Sequence, residues 1–425
     1  MIVWATFRGR EFTTLVALAI CGSKGGSPLR SPEMSRRVDE RQPACVFGVC
    51  SVNNGVKLDR RNAHRAVQEL LLPDEPTPAL APLPTIGEQK DIRYHAARAR
   101  GLLNGPESTG MDYWSINPYV GCAFGCTYCY ARYAHRYAVD RALSASASSH
   151  ELRAEIEGMP PWLAFERHVL VKNDAASILG HELRPGSPRL KALTSGEVVV
   201  VGTATDPYQP AERRFRVTRG VLETLASYEG LSIVVITKSP LITRDADVLR
   251  RITEHSSLTV HLSLITMRRE LARMIEPRAP TPDARVRAVA RLSSAGIDVG
   301  INVMPVLPGI TDGPADLEDL VRQVANAGAT HVNACALRLR ATARARYLPF
   351  IAEHFPHLAD RYARSYAEGH QLSRHYRDGL RAFFTSLCAR VGIPFGTPDE
   401  ETETVSNPPP KVDRQIDLFS ASSAL

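Results

Sequence analysis

The chain has 425 residues, 44% of them hydrophobic and 23% charged, and a formal net charge of +7. That length suits one large domain with a substantial core plus extensions, and the composition is that of a soluble globular protein, not a disordered or secreted disulfide-rich one. No apolar run approaches the roughly eighteen residues of a helical membrane span, and the positive charge is scattered over arginines rather than gathered in a block, so it points only weakly to a polyanionic partner.

In chain order, residues 1–84 read as a disordered leader, mixing Gly, Ser, Pro and Arg and ending in the Pro-rich PDEPTPALAPLP. A short helix around Asn62 to Leu72 is compatible with the pattern. The apolar stretch Thr13 to Cys21 follows Arg8 and Arg10 and has some look of a secretory segment. Glu11 interrupts its basic flank, however, and Ile20 stands where a lipoprotein signal needs a small residue, so export is disfavoured; a start at Met34 is a competing reading.

From about residue 85 the pattern alternates strand and helix. Glu197–Thr203, Leu231–Thr237, Leu258–Leu264, Ile297–Pro305 and His331–Leu339 are short β-branched runs of the kind buried on both faces of a parallel sheet. Amphipathic segments Val217–Tyr228, Arg244–Glu254, Thr281–Ala295 and Ala315–Ala327 separate them. With one further strand before Cys122 there are about six βα units, too few for a closed eight-stranded barrel. The expected fold is therefore α/β, a partial (β/α)6 barrel over residues 85–345. A helical C-terminal cap over 346–394 and a flexible tail over 395–425 follow.

Eight cysteines occur, and three of them, Cys122, Cys126 and Cys129, crowd into NPYVGCAFGCTYCYARYAHRY; Cys21, Cys45, Cys50, Cys335 and Cys388 are scattered. That usage suits a reducing, cytoplasmic compartment and one metal site. The irons of a [4Fe–4S] cubane take thiolate ligands, so three cysteines leave one iron open for a chelating small molecule. Gly121 and Gly125 would let the loop approach closely. A structural zinc site is the rival, but it wants four protein ligands and no clear fourth accompanies the trio; His135 lies six residues beyond Cys129.

CxxxCxxC with Tyr128 before the third cysteine is the radical S-adenosylmethionine (SAM) signature. The surrounding chain, from Asp112 to Pro394, resembles the spore photoproduct lyase-like (DNA repair photolyase) branch of that superfamily. HVLVKNDAASIL, GTATDPYQPAE, ITKSPLITRD, LSLIT, EPRAPTP and MPVLPGITD carry the resemblance with the cysteine segment. It implies a [4Fe–4S] cluster at the barrel mouth, with SAM on the open iron, reductively cleaved to methionine and a 5′-deoxyadenosyl radical. An electron donor of flavodoxin or ferredoxin type, a DNA substrate and a lyase-like reaction come with it.

Carried over residue by residue, the resemblance places Tyr128 and Tyr130 against the adenine or the cluster. Thr205 and Asp206 fall at the SAM amino group, Lys238 and Ser239 at its carboxylate, and Ser263 at the same end. Asn302, Glu276 and Arg278 fall on the ribose or substrate side. Each has a plainer reading: strand-end hydroxyls for Thr205 and Ser263, a turn for Asp206–Pro207, a satisfied strand amide for Asn302, and an ion pair between Glu276 and Arg278. The family's hydrogen-donating cysteine, two residues before Thr205, is here Thr203, whose hydroxyl is a poor hydrogen-atom donor. Cys335 is the weak substitute, against a plain packing role. In the tail, Gln415, Leu418 and Phe419 of RQIDLF match the QxxLF pattern that binds the bacterial sliding clamp. Two other functions stay open: the same chemistry on a peptide, tRNA or small molecule, and a non-catalytic iron–sulfur or clamp-binding adaptor.

Overall fold

The computed structural model describes residues 3–5, 16–18, 85–89, 91–132 and 150–396. The chain divides into two units, 1–75 and 76–425. In the first, β1 (Val3–Ala5) pairs antiparallel with β2 (Val16–Leu18). The expected leader helix, His135 and the tail motif Gln415, Leu418 and Phe419 lie outside the described residues.

The second unit is built on six parallel strands in sequential order: β6 (Trp114–Ile116), β9 (Val198–Val201), β10 (Ser232–Thr237), β11 (Ser257–Ser263), β12 (Asp298–Val306) and β13 (His331–Ala336). β5 (Leu103–Asn104) adds an antiparallel edge to β6. Parallel neighbours need crossovers long enough to return to the same end, and helices supply them. Val217–Leu225 follows β9, Ala246–Thr253 follows β10, Pro282–Ser294 follows β11 and Pro314–Asn326 follows β12. This is the partial (β/α)6 barrel expected, and β9 to β13 begin and end within three residues of the runs read from the sequence.

Local chemistry explains those elements. Val199, Val200 and Val201 of β9 are all buried, because helices and barrel interior cover both faces of the sheet. The helix Ala246–Thr253 buries Val248, Leu249 and Ile252 and leaves Arg250 and Arg251 exposed in its last turn, where the helix dipole favours cations. Pro282 and Pro314 open their helices at positions where no backbone N–H is needed.

A second sheet was not foreseen. β3 (Thr85–Gln89), β4 (Ile92–Ala97), β8 (His168–Lys172) and β7 (Tyr119–Val120) pair in that order, β4 with β8 in parallel. The short helix Pro161–Arg167 feeds β8. This sheet backs the loop that carries the three cysteines. The C-terminal cap comprises the helices Ala341–His354, Pro356–Ser365 and Arg374–Val391. Three of its tyrosines reach the barrel: Tyr362 donates to the Pro308 carbonyl at 2.7 Å, Tyr366 to Leu337 at 2.9 Å and Tyr376 to the Asp312 carboxylate at 3.0 Å. Among the described residues no helix is long and apolar enough to cross a membrane.

Candidate active site

The cysteine loop follows β6 and the two-residue β7, and backbone and side-chain contacts hold it. Gly121 and Gly125 both adopt positive φ, +87° and +66°, which L side chains rarely take. The Cys122 N–H donates to Phe165 O at 3.0 Å and the Thr127 N–H to Ile275 O at 2.9 Å. Buried Gln209 grips two loop atoms at once. Its Nε2 donates to Gly121 O at 3.0 Å, and its Oε1 accepts from the Ala123 N–H at 3.0 Å. The Thr205 hydroxyl donates to the same Gly121 carbonyl at 2.6 Å and accepts from Gln209.

Cys122 and Cys126 are buried and Cys129 is partly exposed. Burial pushes the Cys122 thiol up to about 12 and Cys126 well above the usual thiol range. Both are therefore protonated until a metal's charge displaces the proton. Among the described residues, no three His, Cys, Asp or Glu side chains converge as ligands of a single metal ion. The ligands of a cubane sit on separate irons and need no such convergence. Three thiols on one close-fitting glycine-containing loop thus fit the cluster as a donor set.

The strand ends bring most of the expected residues to this loop. Asp206 accepts from the Thr237 hydroxyl at 2.6 Å, the Lys238 N–H at 2.8 Å and the Tyr208 N–H at 2.9 Å, so it ties the ends of β9 and β10 together. Burial raises its carboxyl even so. Ser239 caps the following helical turn through the Leu241 N–H at 3.3 Å. The Lys238 ammonium makes no hydrogen bond or ion pair among the described residues and lies 5.8 Å from the centre of the Tyr128 ring. Burial disfavours its charge, but the neighbouring Cys126 and Glu276 outweigh that and hold its pKa above the ordinary value.

The Tyr128 hydroxyl donates to Glu276, and the Tyr130 hydroxyl to the Thr203 carbonyl. The Thr203 hydroxyl itself accepts from Asn117 at 3.1 Å. Ser263, Asn302 and Asn333 stand side by side on β11, β12 and β13, and Cys335 follows on the same face.

Glu276 and Arg278 do not pair with each other. Glu276 is wholly enclosed, between Tyr128 and the buried Arg285, whose guanidinium also donates to Ser263 O and Pro280 O at 3.0 Å. Arg278 lies behind the cysteine loop, with its Nε 2.6 Å from Ala123 O and its Nη2 2.7 Å from Glu166. Arg132, Glu166, Gln209 and Arg285 were not anticipated. Gln209 lies inside GTATDPYQPAE, where its type gave no hint. Arg132 and Arg285 are the largest fully buried side chains, a property that a sequence pattern does not show.

The sequence pattern of the radical SAM superfamily matches residues 189–324. An uncharacterized protein of Mycobacterium tuberculosis is 33% identical over 304 residues, 71% of this chain and 82% of that protein. Another, from Methanocaldococcus jannaschii, is 26% identical over 218 residues, 51% of this chain and 68% of its own length. Among solved structures, a spore photoproduct lyase variant superposes with a TM-score of 0.49 at 12% identity, over 79% of this chain and 93% of that one. The chain belongs to the radical SAM superfamily and is an enzyme of that class.

Proposed function

We propose that Cys122, Cys126 and Cys129 hold a [4Fe–4S] cluster with one open iron, that SAM binds there, and that the substrate is a damaged or modified nucleic acid. When bound, these cofactors supply the reductive cleavage of SAM to methionine and a 5′-deoxyadenosyl radical. The observation that carries the reading is the loop: three thiols at the C-terminal end of the parallel sheet, near a lysine whose ammonium makes no hydrogen bond or ion pair among the described residues.

The protein's own residues would then divide the work. Lys238 is free to neutralise a carboxylate, and Tyr128, locked by Glu276, presents its ring beside that charge. The Ser263, Asn302 and Asn333 row offers hydrogen bonds to a ribose or base. Asp206, Ser239 and Thr205 hold the strand ends and the loop in place, because their polar atoms already have partners within the chain.

A nucleic-acid substrate is supported by the stretch after β13. Residues 337–352 contain four arginines and no acidic residue; Arg338 and Arg340 are exposed, whereas Arg344 donates to the Gly369 carbonyl and Arg346 lies beside Glu166. Guanidinium groups at the barrel mouth suit phosphates. The remaining expectations follow from this reading: a flavodoxin- or ferredoxin-type electron donor and a cytoplasmic, reducing location. Sliding-clamp binding through Leu418 and Phe419 rests on the tail sequence; replacing both by Ala abolishes capture by purified clamp, and unchanged capture removes that partner.

The test is anaerobic reconstitution with iron and sulfide, then reduction in the presence of SAM. Formation of 5′-deoxyadenosine, lost in Cys126→Ala, is expected; an intact cluster that yields none would sink the proposal. Crosslinking of a substrate-trapping variant in cells then asks whether the captured partner is nucleic acid, and capture of peptide or small molecule alone overturns that part.

A further inference from the structure

Behind the cysteine loop one buried carboxylate pairs closely with two arginines, and Arg346 Nε lies 4.0 Å from it. Glu166, in the last turn of the helix Pro161–Arg167, pairs with Arg278 Nη2 at 2.7 Å through one oxygen and with Arg132 Nη2 at 2.8 Å through the other. Each guanidinium grips a loop carbonyl. Arg278 Nε donates to Ala123 O at 2.6 Å and its backbone N–H to Phe124 O at 3.2 Å; Arg132 Nη2 donates to Cys126 O at 2.5 Å. The fit leaves no room beneath the loop: a Cβ on Gly125 would lie 2.7 Å from the Glu166 carboxylate and 2.9 Å from Arg278.

The consequence lies on the opposite side of the same peptide. A peptide unit is planar and trans, so its C=O and N–H point in opposite directions. With the Ala123 carbonyl fixed outward on Arg278, the Phe124 N–H is turned the other way, and the backbone amides of Phe124 and Asp206 favour the Cys122 thiolate against its burial. Hydrogen bonds to a ligating sulfur withdraw electron density and raise the reduction potential of an iron–sulfur cluster.

We propose that Arg278, braced by Glu166, is a positioning residue that holds the Ala123–Phe124 peptide with its N–H on the Cys122 sulfur and so makes the cluster easier to reduce. This rests on the cluster assigned above and moves Arg278 from the substrate side to the rear of the loop.

Arg278→Lys separates orientation from charge, because it keeps the cation and loses the fork that reaches both Ala123 O and Glu166. With iron and sulfide content equal to wild type, its cluster should be reduced only at more negative potential. A drop of about tenfold in the reduced-to-oxidised ratio at fixed potential is expected, about 59 mV for a one-electron couple, with an altered electron paramagnetic resonance spectrum. Arg322→Gln, which breaks an exposed pair with Glu318, should leave both unchanged. An unchanged potential and spectrum in a fully loaded Arg278→Lys protein overturns the proposal. If that variant does not load, amide hydrogen exchange in the metal-free protein decides. Glu166→Gln should speed exchange at Phe124 and Gly125 at least threefold, and wild-type rates there also overturn it. Failure of the wild-type protein to form a cluster would count against the function proposed above, while the exchange experiment still tests the clamp.

Discussion

Arg285→Met should destabilise the protein strongly, because it removes one half of a buried ion pair. Arg285 and Glu276 form an ion pair with side chains 2% and 0% exposed, so neither charge can fall back on water once the other is gone. Breaking such a pair from one side costs about 3–5 kcal/mol, because a buried charge is left uncompensated. The carbonyls of Ser263 and Pro280 also lose their donor, which keeps the expected loss at the upper part of that range. Urea unfolding followed by circular dichroism measures it. The double variant Glu276→Gln, Arg285→Met removes both charges and keeps an oxygen for the Tyr128 hydroxyl, so it should recover about 1–2 kcal/mol relative to Arg285→Met alone. Acidity supplies a second reading with a defined sign. Burial alone would raise the Glu276 carboxyl, but Arg285 and Lys238 outweigh it and hold the pKa below the ordinary 4.5. Stability from this group is therefore present above pH 4.5 and lost as pH falls through the lower folded value, and the gap between wild type and Arg285→Met should narrow over that interval. A cost below about 1 kcal/mol, or a double variant equal to the sum of the singles, would refute the assignment of a buried pair.

Two further outcomes are expected. Gly125→Ala places a methyl group against Glu166 and Arg278 at a positive φ. It should lower iron incorporation on reconstitution at least severalfold with an unchanged far-ultraviolet spectrum, and normal iron content would contradict the close fit of the loop. Burial and the adjacent His331, 2.9 Å away, lower the His261 pKa from 6.5 to about 4. Below pH 6.5 the unfolded chain takes a proton that the folded one refuses, so stability falls with pH until about 4, by roughly 3 kcal/mol from this group. Asp298 on β12 opposes that shift and Gly300 supplies the space between the rings. In His261→Leu the loss between pH 6.5 and 4 should shrink by that amount, and an undiminished loss would show that another group titrates.

The sequence by itself determined the core strand runs, the count of about six βα units and the loop that carries the thiols. Those features are written locally. A β-branched run such as VVVV on β9 reports burial on both faces without reference to a partner. The Cys spacing and the two glycines likewise describe one short segment. What holds that segment is not local. Gln209 meets Gly121 and Ala123, Arg285 meets Ser263, and Glu166 meets Arg278 across 112 positions of sequence. The second sheet is not legible in the sequence for a similar reason: β7 is two residues long, and β4 and β8 find each other across the whole cysteine loop. Only the tertiary structure decided that Glu276 belongs to Arg285 and Arg278 to Glu166. The residue types fit either pairing, and the choice depends on which charges folding encloses together, where an unpaired one would be too costly to keep.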